Sequence, residues 1–109
     1  MSKKIWKAEL QCVRSMTITV PKDSRALSVH LVKGSPVVWF EVNPKLPPEN
    51  RKLLMFSTDE YIPEDIRLSY IGTFLTGDGS LEFHLYEVTG KISFKKPKKG
   101  IFDGKETKA

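Results

Sequence analysis

Apolar and polar residues alternate along most of this chain, the period of half-buried strands. Ile5 to Leu10 (IWKAEL) has this alternation and reads as a first strand. Met16 to Val20 (MTITV) is β-branched, stops at Pro21 and reads as a second. Lys22-Asp23-Ser24 is a turn. Two hairpins follow, one over 26–42 turning at Gly34-Ser35 and one over 68–88 turning at Asp78-Gly79. Between them, Asn43 to Asn50 carries three prolines and reads as a loop. Arg51 to Ser57 (RKLLMFS) reads as a fifth strand, although its apolar run also suits a buried helical turn, and Thr58 to Arg67 is a connection. In that connection Pro63-Glu64-Asp65 has the residues of the first turn of a short helix.

A two-residue loop fixes the register of a hairpin. In the first hairpin it places Leu31 opposite Val38, Val29 opposite Phe40 and Leu27 opposite Val42, an apolar face throughout. The other face pairs His30 with Trp39, Val32 with Val37 and Ser28 with Glu41. In the second hairpin Phe74 meets Phe83, Gly72 meets Leu85 and Tyr70 meets Glu87, with Gly72 leaving room for a neighbouring aromatic ring. Its opposite face pairs Ile71 with Tyr86, Thr73 with His84 and Leu75 with Glu82.

Seven short strands with frequent turns predict an all-β fold, a small antiparallel β-sandwich or open barrel. The two apolar faces form its core. The mixed faces retain Trp39, Ile71, Leu75 and Tyr86, enough apolar surface to predict a homo-oligomer that covers it.

Charge separates the chain into two parts. The net charge is +5 over 109 residues. Residues 1–90 hold eleven Lys and Arg against eleven Asp and Glu, whereas 91–109 hold seven Lys against Asp103 and Glu106. The expectation is one β domain over 1–90 and a mobile, Lys-rich extension over 91–109, with a short strand at Ile92 to Phe94. No run of 18 apolar residues suggests a membrane span, and Lys7 and Glu9 interrupt any signal region. A single cysteine, Cys12, excludes an internal disulfide, fits a reducing cytoplasm and reads as a small core residue.

Catalytic chemistry is thin, so no enzyme and no cofactor is expected. His30 and His84 lie on mixed faces and would need Glu41 or Glu82 to hold a metal, but no close His/Cys spacing supports one. Nothing orients Cys12 against a histidine as a nucleophile. Glu41, Glu82 and Glu87 read as solvated strand carboxylates. Gly72, Gly77 and Gly79 precede no helix that could receive a phosphate. The candidate interface or ligand residues are therefore His30, Trp39, Glu41, Ile71, Thr73, His84 and Tyr86. Candidate anion contacts are Arg25, Arg51, Arg67, Lys95, Lys96, Lys98 and Lys99.

Three blocks in order, KIWKAEL, ALSVHLVKGSPVVWFEVNP and LSYIGTFLTGDGSLEFHLYE, give the chain a further character. Over about residues 4–88 it resembles a family of short proteins of tailed bacteriophages and prophages. Members share an Ile-Trp/Tyr-Lys opening, Leu-Ser-Val before a Gly-x-Pro turn, a Trp in the next strand, then Tyr-Ile-Gly-Thr-Phe and Phe-His. The resemblance implies a phage setting and supplies no activity and no site residues. Together these readings predict a non-enzymatic accessory protein that binds a host factor in the host cytoplasm, in host takeover or counter-defence. Two alternatives stand beside it. One is an oligomer that sequesters an anionic, nucleotide-like ligand. The other is a virion or nucleic-acid-associated structural protein, touching nucleic acid weakly through Lys95 to Lys99.

Overall fold

A computed structural model describes residues 2–92 of the chain. Seven strands follow in order: β1 (Lys4–Glu9), β2 (Ser15–Pro21), β3 (Arg25–Val32), β4 (Ser35–Val42), β5 (Pro48–Ser57), β6 (Ile66–Thr76) and β7 (Leu81–Lys91). They build two open antiparallel sheets. Sheet A has the order β1-β4-β3, and sheet B has the order β2-β5-β7-β6. The all-β expectation holds as a sandwich, with neither sheet closed into a barrel.

The chain crosses between sheets after β1, after β2 and after β4. Two of these crossings lie together, since the Lys22 N–H donates to the Pro47 carbonyl at 2.7 Å. Asp23 turns that corner at φ 65°, and the Ser24 hydroxyl donates back to the Pro21 carbonyl at 2.6 Å.

One buried cluster joins the sheets. Val29, Val38, Phe40 and Val42 of sheet A meet Val20, Leu53, Met55, Phe74 and Leu85 of sheet B, with Leu10 at the rim. The apolar faces of the two hairpins thus pack together as expected. Gly72 makes the approach close: a Cβ there would lie 2.9 Å from Val29 Cγ1. The neighbour that claims this space is a valine, not the aromatic ring the sequence suggested.

The first hairpin turns one residue earlier than predicted. Val32 pairs with Ser35 and Val29 with Val38, so Lys33 (φ 51°) and Gly34 (φ 85°) are the turn residues. Both have the positive φ of a type I′ turn. A Gly34-Ser35 turn would have been closed by Lys33 and Pro36, and Pro36 has no N–H to donate. The pairings Val29 with Phe40 and Leu31 with Val38 therefore move by two residues, which keeps each side chain on its face. The register of the second hairpin holds for Phe74 with Phe83, Gly72 with Leu85, Thr73 with His84 and Leu75 with Glu82.

Irregularities account for the other differences. The ladder shifts at Leu27 in β3, which leaves Leu27 exposed instead of opposite Val42 in the core. It shifts again at Ile71 in β6, so Tyr70 pairs with Tyr86 rather than Glu87. Ile71 leaves the mixed face and packs against the core. Residues 63–65 form no helix, and the proline-rich stretch yields its last three residues, from Pro48, to β5. Pro48 stands at the first position of its strand, where a missing donor is tolerated. Cys12 is exposed, not in the core. β7 ends at Lys91, so of the short strand expected at Ile92 to Phe94 only Ile92 is described and it is not in a strand. The rest of it and the Lys-rich extension lie outside the described residues.

Candidate functional surface

Strand alternation sends the predicted site residues to two separate surfaces. His30, Trp39 and Glu41 leave sheet A away from the core. Thr73, His84 and Tyr86 leave sheet B on the opposite side. His30 and His84 therefore cannot share a site within one chain. Among the described residues no three metal-ligating side chains gather.

On sheet A, His30 packs edge-on against Trp39 with ring centroids 5.8 Å apart. Glu41 accepts from Arg25 at 2.8 Å and lies 3.2 Å from the Lys3 ammonium. These partners, Arg25 foremost, hold its carboxyl below the usual carboxylate range.

Sheet B carries the richer surface. Pairing of β5, β7 and β6 aligns Phe56, His84 and Thr73, and beside them Leu54, Tyr86 and Tyr70. Tyr86 meets Tyr70 edge-on at 5.3 Å and Phe56 at 5.8 Å. Arg14 lies over the Phe56 ring at 5.7 Å and pairs with Glu60, which covers that side of the phenyl group. Tyr70 is 56% exposed.

The polar groups of this surface bond to one another in a defined direction. Thr58 Oγ1 lies 2.7 Å from Glu82 Oε1 and must donate, because the carboxylate only accepts. Thr58 Oγ1 then accepts from His84 Nε2–H at 2.8 Å. In the tautomer with its proton on Nε2 alone, Nδ1 accepts from the Thr73 hydroxyl at 2.9 Å. Thr73 in turn accepts from the Tyr70 hydroxyl. Four donors thus run from a phenol to a carboxylate with none left over. Sequence reasoning missed Thr58, because it lies 26 residues from His84 and only the β5–β7 ladder brings them together.

The arginines have different environments. Arg51 is enclosed: its guanidinium bonds both carboxylate oxygens of Glu87, with Nη2 to Oε1 at 3.1 Å, and reaches Glu49 at 3.1 Å and the Ser24 carbonyl at 2.7 Å. It lies 5.9 Å from the Phe40 ring centroid. Glu87 is buried beside it, not solvated as the sequence suggested. Bonding to Glu87 raises the Arg51 pKa above its ordinary value. Arg25 is engaged by Glu41. Arg67, on β6 opposite Gly90, is exposed and forms no ion pair among the described residues. Lys95, Lys96, Lys98 and Lys99 lie outside those residues.

No helix of the described residues is long and apolar enough to cross a membrane. No curated protein and no solved structure matches the chain. The profile of a domain of unknown function, DUF7352, matches residues 1–93, and the chain belongs to that family.

Proposed function

We propose that this chain is a non-enzymatic binding protein of a phage or prophage that grips a host protein in the host cytoplasm through the outer surface of sheet B. One observation carries the reading: Tyr70 is exposed beside Tyr86 while the polar groups around it already bond to one another. Aromatic side chains anchor protein interfaces. Polar atoms that are already paired can be covered by a partner without the cost of an orphaned donor. The phage setting rests on the resemblance over residues 4–88, and the cytoplasm on the lone cysteine. Carboxylates occupy Arg25 and Arg51, so of the three arginines that an anionic ligand could use only Arg67 stands without a carboxylate among the described residues, which supports this reading over anion capture.

The test compares the tagged chain with Tyr70→Ser and Trp39→Ser variants in a bacterial host. The expected result is a host protein retained by the wild type and the Trp39 variant and lost from Tyr70→Ser. Capture that ignores Tyr70→Ser overturns the reading. A dimer in sedimentation that dissociates in Tyr70→Ser assigns the surface to a second copy of the chain instead.

A further inference from the structure

Sheet A has two edge strands, β3 and β1, and β1 pairs with β4 on one side only. Leu10, in register with Pro36, donates its N–H to the Pro36 carbonyl at 2.8 Å. In an antiparallel ladder such pairs alternate, so the even residues of β1 bond to β4. The main-chain N–H and C=O groups of Ile5, Lys7 and Glu9 consequently point away from the sheet. The β3–β4 hairpin agrees, since its closing pair Val32–Ser35 assigns the odd residues of β4 to β3 and leaves the even ones for β1.

The exposed side chains over Lys4 to Lys7 are apolar and basic, and the one acid of the strand, Glu9, lies at its far end, beyond the four positions that a docked segment meets. Ile5 is 66% exposed and Trp6 41%. Lys4 and Lys7 form no ion pair among the described residues, and Lys3 adds a third ammonium beside Glu41. Lysines on an edge strand discourage pairing with an identical strand, which would bring its own lysines. The same charges favour an acidic strand.

We propose that β1 accepts an extended acidic peptide segment of a partner protein as a fourth strand of sheet A. An incoming antiparallel strand meets Lys7, Trp6, Ile5 and Lys4 in turn. The complementary order is acidic, apolar, apolar, acidic. One acid and one apolar residue then fall on each surface of the sheet. Main-chain bonds to Ile5 and Lys7 supply affinity, and the two lysines supply register. The site is separate from the outer surface of sheet B and stands whether or not that surface binds a protein.

The probe is a blocked peptide, Thr-Glu-Val-Val-Glu-Thr, titrated into the chain and followed by amide NMR and hydrogen exchange. New protection is expected at the Ile5, Lys7 and Glu9 amides, with none at Tyr70 or Tyr86. Lys7→Pro removes an outward N–H while sparing the bonds to β4, and should weaken binding by about tenfold or more. Lys7→Ala keeps the N–H and should weaken it only by about two- to fivefold. Equal binding of a peptide with Lys in place of both Glu overturns the proposal. So does unchanged binding by Lys7→Pro, an unperturbed β1 at saturating peptide, or protection of these amides by self-association without peptide.

Discussion

Val29 of β3 occupies the space that a side chain on Gly72 of β6 would need. A Cβ on Gly72 would sit 2.9 Å from Val29 Cγ1 and 3.5 Å from its main-chain nitrogen. Valine is stiff at χ1 and cannot swing aside, so the two sheets must separate or β3 must shift. Gly72→Ala should destabilise the fold by about 1–3 kcal/mol, read from urea unfolding. Adding Val29→Ala to Gly72→Ala should cost less than Val29→Ala costs alone, because the new methyl fills part of the vacated space. Simple additivity of the two changes would refute this account of the contact.

The ion pair of Arg51 and Glu87 is enclosed, with side-chain exposures of 13% and 11%. Removing Glu87 takes away the buried partner of the guanidinium and leaves it Glu49, whose side chain is 39% exposed, as its remaining carboxylate. Glu87→Ala should therefore cost up to about 3 kcal/mol in denaturant unfolding, the low end for a broken buried pair, because Glu49 remains. The double change Arg51→Met with Glu87→Leu should be less damaging than Glu87→Ala. A larger loss in the double variant would show that the pair itself, not the guanidinium stripped of its buried partner, matters.

The first turn gives a direct test of register. Gly34→Ala places a side chain at φ 85° and should cost about 1 kcal/mol. Lys33→Asn puts a residue that favours positive φ at 51° and should stabilise by a few tenths to about 1 kcal/mol. Nuclear Overhauser contacts should join Val29 to Val38 across the ladder. If Lys33→Asn destabilised the fold and Ser35→Asn stabilised it, the turn would lie one residue later.

Acid should weaken the fold in a defined window. The Glu41 carboxyl is held below its ordinary value of 4.5 by Arg25 and Lys3. That of Asp78 is held below 3.8 by the Ser80 hydroxyl and N–H. Depressed carboxyls contribute stability that is fully present above the unfolded pKa and is lost as pH falls through the folded one. Melting temperature should thus decline below about pH 4.5, and Glu41→Gln should flatten the upper part of that decline. An unchanged profile in Glu41→Gln would remove Glu41 from the account.

The elements legible in the sequence were those set by local chemistry. Alternation located the strands other than β5, which an apolar run marks instead. Centring the second turn on Asp78-Gly79 gives the correct register, although the loop there is four residues, 77–80, and not two. Pro36 held the information that the first turn needed, through the donor it lacks, but the Gly-Ser pair drew the turn one residue late. The shifts at Leu27 and Ile71 had no local signal, because they arise where β3 and β6 approach across Gly72. Of the candidate surface, Thr73, His84 and Tyr86 were found from their strand positions. Thr58 and the burial of Glu87 were not, since both depend on partners brought in by β5.

β1 has one neighbouring strand, and its exposed Ile5 and Trp6 contribute little to the core. It should be among the first segments to open, with amides at Trp6 and Ala8 exchanging faster than those at the centre of β7. When it lifts away, it bares the edge of β4, where Val37, Val38, Trp39 and Phe40 run consecutively. An apolar, β-prone edge of that kind templates aggregation or exchange of strands between copies. β1 therefore acts as a guard strand, and a segment that docks along it would slow aggregation simply by keeping it in place.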